Sequence, residues 1–152
     1  MMLFKPYHVP LVLAGLKTQT RRCWKTQRVT VGSLQKAKTQ MLSKDYFAVL
    51  KILVVYKQRL GDMTEKDAWA EGGYTLEQYR TVVWPACSKI PWDDDLVVFV
   101  IEYVVTAKLV GYVCFHCGNF SSMKQACCAK CGTNSKRITA DGRIVFEKTG
   151  GG

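Results

Sequence analysis

Two long apolar runs dominate the hydrophobic pattern of the chain and predict its two main strands. They cover residues 45–56 and residues 96–105, and both consist largely of β-branched, aromatic and aliphatic residues, as central strands require. A short strand is predicted at residues 3–4, before Pro6, and alternating apolar positions predict a further strand within residues 29–38. The pattern therefore predicts a sheet of several strands.

The remaining pattern predicts three short helices, each bounded by residues that begin or end helices. The first covers residues 8–14 and ends at Gly15, and the second covers residues 64–70, where a Thr and an Asp three residues later resemble a capping box. The third covers residues 76–83 and ends before Pro85. Several strands and a few short helices, without regular βαβ alternation, predict an α+β fold built on a small barrel-like mixed sheet.

Length and hydrophobicity narrow the class of protein. With 152 residues, of which 48% are hydrophobic, the chain can bury one core and carry a small appended module. The sequence contains neither an apolar run of about 18 residues nor a signal-peptide pattern. We therefore expect an intracellular, cytoplasmic protein with no membrane partner.

Basic residues are concentrated at both ends of the chain. Residues 1–60 carry twelve Lys or Arg and one acidic residue, residues 61–107 carry three and nine, and residues 108–152 carry seven and two, for a net charge of +10. Such an uneven distribution indicates a polyanionic partner, with nucleic acid as the first candidate. A basic surface that binds nothing specific is the alternative.

The densest group of candidate binding side chains is the segment Gly-Leu-Lys-Thr-Gln-Thr-Arg-Arg at residues 15–22, whose polar part is predicted to be a loop after the first helix. We expect this segment and the residues after it to form a basic cleft that binds RNA. The predicted RNA contacts are Lys17, Arg21, Arg22, Trp24, Lys25 and Arg28. Four further aromatic residues in or beside predicted loops are candidate stacking platforms, with packing in the core as the alternative: Trp69, Tyr74, Trp84 and Trp92. Aromatic rings in loops favour single-stranded RNA over duplex DNA, because unpaired bases stack on them.

Two Cys-x-x-Cys pairs predict a structural zinc site in the C-terminal part of the chain. The four predicted ligands are Cys114, Cys117, Cys128 and Cys131. Four thiolates complete the tetrahedral coordination of Zn²⁺ and leave no open position, so this metal is expected to be structural. Two redox dithiols are the alternative to zinc, and Cys127 is the alternative ligand to Cys128. Strands are predicted around residues 109–113 and 143–146, which would make the module a zinc ribbon.

Three segments in order resemble an ASCH domain, a family similar in fold to the PUA domains of RNA-modifying enzymes. The segments are residues 15–22, residues 61–74 and residues 92–102, and the resemblance covers residues 1–107. The resemblance implies a small β-barrel with peripheral helices. It also implies an RNA-binding module with a basic cleft between the barrel and the first helix.

One bacterial branch of that family looks like amidohydrolases that remove the acetyl group from N4-acetylcytidine with a Lys, a Thr and a Glu. Carried onto this chain, the resemblance implies Lys17, Thr20 and Glu71 for these roles. A lysine base can activate a threonine hydroxyl, and a glutamate can protonate the departing amine. The alternative is that Lys17, Arg21 and Arg22 anchor phosphates while Thr20 caps the backbone.

The leading hypothesis is an intracellular RNA-binding protein in three parts. These are an ASCH (PUA-like) domain at residues 1–107, a four-cysteine zinc ribbon at residues 108–148 and a disordered tail at residues 149–152. One alternative is an amidohydrolase that acts on a modified nucleoside. Another is an adaptor that joins a protein complex through the zinc ribbon.

Overall fold

The computed structural model describes residues 1–109 and, beyond them, the backbone of four short strands. The predicted zinc ligands Cys114, Cys117, Cys128 and Cys131, the alternative ligand Cys127 and the predicted tail at residues 149–152 lie outside the described residues.

A five-stranded mixed sheet forms the centre of the fold. Its strands are β1 (Met2–Leu3), β2 (Gln19–Arg22), β3 (Leu34–Lys38), β4 (Ala48–Arg59) and β5 (Val97–Lys108). Their order in the sheet is β1-β3-β4-β5-β2, with β1 parallel to β3 and β2 antiparallel to β5. The two long apolar runs become β4 and β5, which confirms the two main predicted strands.

The prediction of a loop at residues 17–22 is wrong for most of that segment. Residues Gln19–Arg22 form the edge strand β2, in a register that pairs Gln19 with Glu102 and Arg22 with Phe99. The segment is polar, and neither of its faces carries the alternating apolar residues from which a strand is normally predicted. It becomes a strand because β5 supplies hydrogen-bonding partners for its backbone.

Helices are few and short. They are α1 (Val9–Leu13, after a 3₁₀ turn at Pro6–His8), α2 (Glu65–Ala70), α3 (Leu76–Gln78) and α4 (Trp84–Cys87), with a π-helical turn at Tyr79–Val83 between the last two. The predicted capping box of α2 is present, because the Thr64 hydroxyl accepts from the Asp67 N–H. A second capping box begins α3, where the Thr75 hydroxyl accepts from the Gln78 N–H.

The prediction that Pro85 ends the third helix is also wrong, because helical structure continues to Cys87. A proline is tolerated in the first turn of a helix, where its missing N–H has no partner to lose. The π-helical turn at Tyr79–Val83 makes Trp84 the start of a new helix, so Pro85 falls in that first turn.

The chain forms two compact units. One consists of Met1–Ala14, Gln35–Leu50 and the chain from Val105 onward, and its core includes Phe4 and Phe47, whose rings meet edge to face at 5.9 Å. The other consists of Gly15–Leu34 and Lys51–Val104. Its core contains Leu60, Met63, Ala68, Tyr79, Val83, Trp84 and Val98.

A second small sheet follows β5. Its strands are β6 (Gly111–Val113), β7 (Phe120–Ser121), β8 (Lys136–Ile138) and β9 (Ile144–Val145), in the antiparallel order β7-β6-β8-β9. Strands β6 and β9 lie within the two ranges where strands of the C-terminal module were predicted.

Candidate functional site

All of the sequence-predicted cleft residues lie in the unit that contains β2. The peptide group between Lys17 and Thr18 is fixed by two contacts: the Thr18 N–H donates to the Ala70 carbonyl at 2.8 Å, and the Tyr103 hydroxyl donates to the Lys17 carbonyl at 2.8 Å. Helix α2 ends at Ala70, so this contact brings the C-terminal end of α2 against the start of β2. Lys17 and Glu71 are thereby brought together, although 54 residues separate them.

The Lys17 ammonium is buried and has three acceptors. Its Nζ lies 2.6 Å from Glu71 Oε2, 2.9 Å from the Glu71 carbonyl oxygen and 3.2 Å from the Gln19 carbonyl oxygen. Burial lowers the pKa of Lys17, and the charge of Glu71 opposes that shift. In this geometry all three ammonium protons face acceptors, which favours the charged form of Lys17.

Arg21 is also buried, and every nitrogen of its guanidinium has a partner. Nη1 donates to Gln19 Oε1 at 2.7 Å and to Glu71 Oε1 at 2.9 Å. Nε and Nη2 donate to Gln58 Oε1 at 3.2 and 2.8 Å, and Nη2 lies 3.5 Å from Asp67 Oδ2. The side chain has no exposed area. An RNA phosphate could reach Arg21 only if some of these bonds were broken.

Glu71 therefore holds two cations, Lys17 on one carboxylate oxygen and Arg21 on the other, and we call these three residues the buried ion cluster. The hydroxyl of Tyr79 also bonds to the Glu71 side chain. Burial raises the pKa of Tyr79 well above its ordinary value, and the charge of Glu71 raises it further, so this phenol stays neutral. Asp67 lies beside Arg21, so two cations face two carboxylates.

Successive side chains of a strand point to opposite faces, so Thr20 and Arg22 lie on the face of β2 opposite to Gln19 and Arg21. Thr20 is buried and Arg22 is half-buried. Burial lowers the pKa of Arg22, while the charge of Glu71 opposes this shift, so Arg22 lies within electrostatic range of the buried ion cluster.

The remaining predicted RNA contacts form an exposed basic surface after β2. Trp24 is half-buried, and Lys25 and Arg28 are exposed. The Arg28 guanidinium carbon lies 5.8 Å from the centre of the Trp24 ring, within the range of a cation–π contact. The Trp24 ring in turn lies 6.1 Å from that of Phe99 in β5.

The other aromatic candidates divide between core and surface. Trp84 is only 2% exposed, and its ring packs edge to face against Trp92 at 5.9 Å. Tyr74 packs against the same core, whereas Trp69 on α2 is 63% exposed. Trp84 is therefore a core residue, and no base can stack on it in this structure.

Three polar residues that contact the Arg21 guanidinium were not among the predicted site residues: Gln19, Gln58 and Asp67. Gln58 follows the apolar run of β4, and nothing in its sequence neighbourhood links it to Arg21. Glu102 on β5 accepts a hydrogen bond from Gln19 Nε2 at 2.9 Å.

Two kinds of feature are absent from the described part of the chain. Within it, no group of three or more His, Cys, Asp or Glu side chains is arranged to hold a metal ion. None of the helices described there is long and apolar enough to cross a membrane.

A solved ASCH domain from Lactobacillus crispatus JV V101 is similar to this chain, with a TM-score of 0.53 and 18% identity over 65% of this chain and 70% of that one. A DUF984 protein from Enterococcus faecalis V583 aligns with a TM-score of 0.49 and 18% identity, over 66% and 67% of the two chains. No protein-family model and no curated protein matches the sequence. The likeness to the Lactobacillus structure establishes the fold alone: this chain has an ASCH-like α+β fold.

Proposed function

We propose that this protein binds RNA through the surface that follows β2. The observation that carries the proposal is the contact between Arg28 and Trp24, a half-buried aromatic ring with a guanidinium 5.8 Å from its centre. Lys25 is exposed beside them. Aromatic rings that bind bases, combined with cations that bind phosphates, are the usual chemistry of RNA-binding surfaces.

The fold supports the same proposal, because ASCH domains are generally RNA-binding modules. Fold does not determine function, so the argument depends on the surface itself. The cations of the described residues differ in their exposure to solvent. Lys17 and Arg21 are bonded to Glu71, whereas Lys25 and Arg28 face solvent. We therefore assign phosphate contacts to Lys25 and Arg28.

Binding of a labelled single-stranded RNA across a range of salt concentrations tests this proposal. Affinity is expected to fall as salt rises, because each phosphate contact releases counterions. Lys25→Ala and Arg28→Ala should each weaken binding and make the salt dependence shallower. Lys66→Ala, on the exposed surface of α2, is the matched control and should leave both unchanged. Absence of RNA binding by the folded wild-type chain would contradict the proposal.

A second candidate function is hydrolysis of an acylated nucleoside, favoured by the contact between Lys17 and Glu71 at 2.6 Å. In that reaction a neutral Lys17 would accept the proton of the Thr20 hydroxyl as its oxygen attacks the acyl carbon, and the proton would pass through Glu71 to the amine as the C–N bond breaks. Water would then hydrolyse the ester on Thr20, which releases the acid and restores the hydroxyl. Burial lowers the pKa of Lys17, which favours the neutral base. The three acceptors around its ammonium favour the charged form, so we rank hydrolysis below binding.

Turnover of N4-acetylcytidine separates the two functions. If hydrolysis is the function, the wild type releases cytidine and acetate, Thr20→Val releases neither, and Thr20→Ser retains activity because it keeps a hydroxyl. Circular dichroism of each variant confirms folding. A folded wild type without turnover would eliminate this candidate and leave RNA binding unaffected.

For the C-terminal module we propose a structural zinc ion held by Cys114, Cys117, Cys128 and Cys131. The register of the small sheet supports it: Val113, the last residue of β6, pairs with Phe120 and with Lys136, the first residues of β7 and β8. The chain therefore leaves β6, just before the first cysteine pair, and enters β8, after the second pair, at the same end of the sheet. Zinc analysis should give one equivalent per chain, lost in Cys128→Ser and kept in Cys127→Ser. The opposite result would make Cys127 the ligand.

A zinc ribbon is also a surface on which a larger complex could dock, and this adaptor role is the third proposal for the chain. It predicts binding neither of RNA nor of a nucleoside. The salt titration and the turnover assay described above therefore distinguish it from the other two functions.

A further inference from the structure

We infer that the Trp24 ring is a stacking platform for one unpaired base of a single strand, with Phe99 behind it and with Arg28 and Lys57 as the flanking phosphate contacts. This inference rests on the proposed RNA binding and names its ligand as single-stranded RNA, not duplex or free nucleoside. We call these four residues the Trp24 platform.

Two strands and the segment that follows a third supply the platform. Trp24 lies two residues beyond the end of β2. Because Arg22 pairs with Phe99, this end of β2 lies beside the first residues of β5. Lys57 lies near the end of β4, which adjoins β5 in the sheet. Phe99 and Lys57 are thus held in paired strands, while Trp24 and Arg28 lie in the segment that follows β2.

Each ring of the platform lies near one cation and near the other ring. The Trp24 and Phe99 ring centres are 6.1 Å apart, with an angle of 42° between the ring planes. The Arg28 guanidinium carbon lies 5.8 Å from the Trp24 centre, and the Lys57 ammonium nitrogen lies 5.4 Å from the Phe99 centre. Both cations are exposed. Each ring therefore has a positive charge close to it.

Exposure decides which ring a base can reach. Phe99 is 6% exposed, so it packs behind Trp24 and restricts the movement of that ring. Trp24 is half-buried and retains accessible area. A ring supported in this way loses little conformational freedom when a base stacks on it. One accessible ring accommodates one base.

The chemistry favours an unpaired base over a duplex. In a duplex the faces of the bases are covered by stacking on their neighbours, so an aromatic side chain cannot reach them without unstacking. Contacts of Arg28 and Lys57 with the rings at exposed sites are weak, so these side chains can turn to a phosphate when RNA binds. Single-stranded RNA offers a free base and flanking phosphates together, which neither a duplex nor a nucleoside does.

Charge distinguishes Trp24 from the other tryptophans. The Trp92 indole N–H donates to Asp94 at 2.9 Å, between two further aspartates, and this acidic setting repels phosphate. Trp24 instead has Lys25 and Arg28 beside it. Trp69 is exposed on α2 and serves as the control.

The test uses the full chain, a fluorescently labelled single-stranded eight-nucleotide RNA, and the same RNA annealed to its complement. Trp24→Ala should weaken single-strand binding about 5- to 150-fold, the range for loss of one stacked base. Trp24→Phe should recover most of this loss, because it restores a ring without restoring the indole. Trp69→Ala should bind like the wild type.

A second measurement tests the cations. Lys57→Ala should reduce the slope of log affinity against log salt by about 0.7, the value for one phosphate of a single strand. Lys51→Ala, an exposed lysine on the same strand, is the matched control and should not change the slope.

The outcomes separate this inference from the proposed function. If the wild type binds RNA and Trp24→Ala binds within twofold of it, the platform is wrong while RNA binding stands. Equal affinity for the single strand and the duplex would also overturn the platform. If the folded wild type binds neither RNA, both the inference and the proposed function fail.

Discussion

Replacing Glu71 with Gln is expected to lower the free energy of unfolding by about 3–5 kcal/mol. The Glu71 carboxylate is 2% exposed, with Lys17 Nζ at 2.6 Å on one oxygen and Arg21 Nη1 at 2.9 Å on the other. Glutamine preserves the shape of the side chain but not its charge. Two buried cations would then lose their main counter-charge while remaining desolvated, which is the costly part of breaking a buried pair.

The ion pair between Arg59 and Asp95 is a matched control for burial. Its N–O distance is 2.7 Å, close to that of Lys17 and Glu71, but its side chains are 52% and 83% exposed. Exposed pairs contribute roughly 0–1 kcal/mol because water and salt screen them. Asp95→Asn should therefore cost at least about 2 kcal/mol less than Glu71→Gln.

Urea unfolding at pH 7, followed by tryptophan fluorescence and circular dichroism, measures both variants. Trp84 and Trp92 pack in the core of the same unit as Glu71, so their fluorescence reports its unfolding. In 1 M salt the small effect of Asp95→Asn should disappear, whereas the effect of Glu71→Gln should persist. Equal losses of stability in the two variants would refute the argument that burial sets the strength of the Glu71 contacts.

Three further predictions concern the same unit. Thr64→Ala removes a capping box and should cost about 1 kcal/mol in urea unfolding, with Thr64→Ser nearly neutral; equal losses would exclude the hydroxyl as the cause. Gly61→Ala would place a Cβ 2.9 Å from the Asp94 carbonyl oxygen and should cost about 1–3 kcal/mol, and an unchanged melting temperature would contradict this contact. Burial raises the pKa of Tyr103 well above 10.0, with Glu71 adding to the shift, so the unfolded chain loses this proton first as pH rises. Stability should be retained below about pH 10 and fall above it, less steeply in Tyr103→Phe, and identical pH profiles would count against this assignment.

The sequence was sufficient to predict the helices and strands whose own residues carry the pattern typical of that secondary structure. Strands β4 and β5 have apolar composition throughout, and the capping box of α2 is a short-range pattern, so their existence could be predicted although their ends shift by a few residues. Strand β2 could not be predicted, because its residues are polar and the residues that it pairs with lie 77 to 83 positions further along the chain.

The sequence predicted which residues lie at the candidate site better than it predicted what each residue does there. Lys17 and Glu71 were assigned to one site, and the structure places them in contact. Arg21 was expected among the RNA contacts, yet its side chain has no exposed area and bonds to Gln19, Gln58 and Glu71. The direction in which an arginine points depends on strand alternation, which cannot be known for a segment predicted as a loop.

The alternation of side chains along a strand also limits how many of the predicted cations can contact RNA. Of the five cations predicted to contact RNA, Lys17 and Arg21 are buried against Glu71, and Arg22 is half-buried. Only Lys25 and Arg28 are exposed, and Lys57 on β4 extends the same surface. Three phosphate contacts predict a slope of log affinity against log salt of about −2 for single-stranded RNA. A much steeper slope would mean that cations elsewhere, in the other unit or the C-terminal module, carry most of the electrostatic binding, and the net charge of the segment would then be a poor guide to its function.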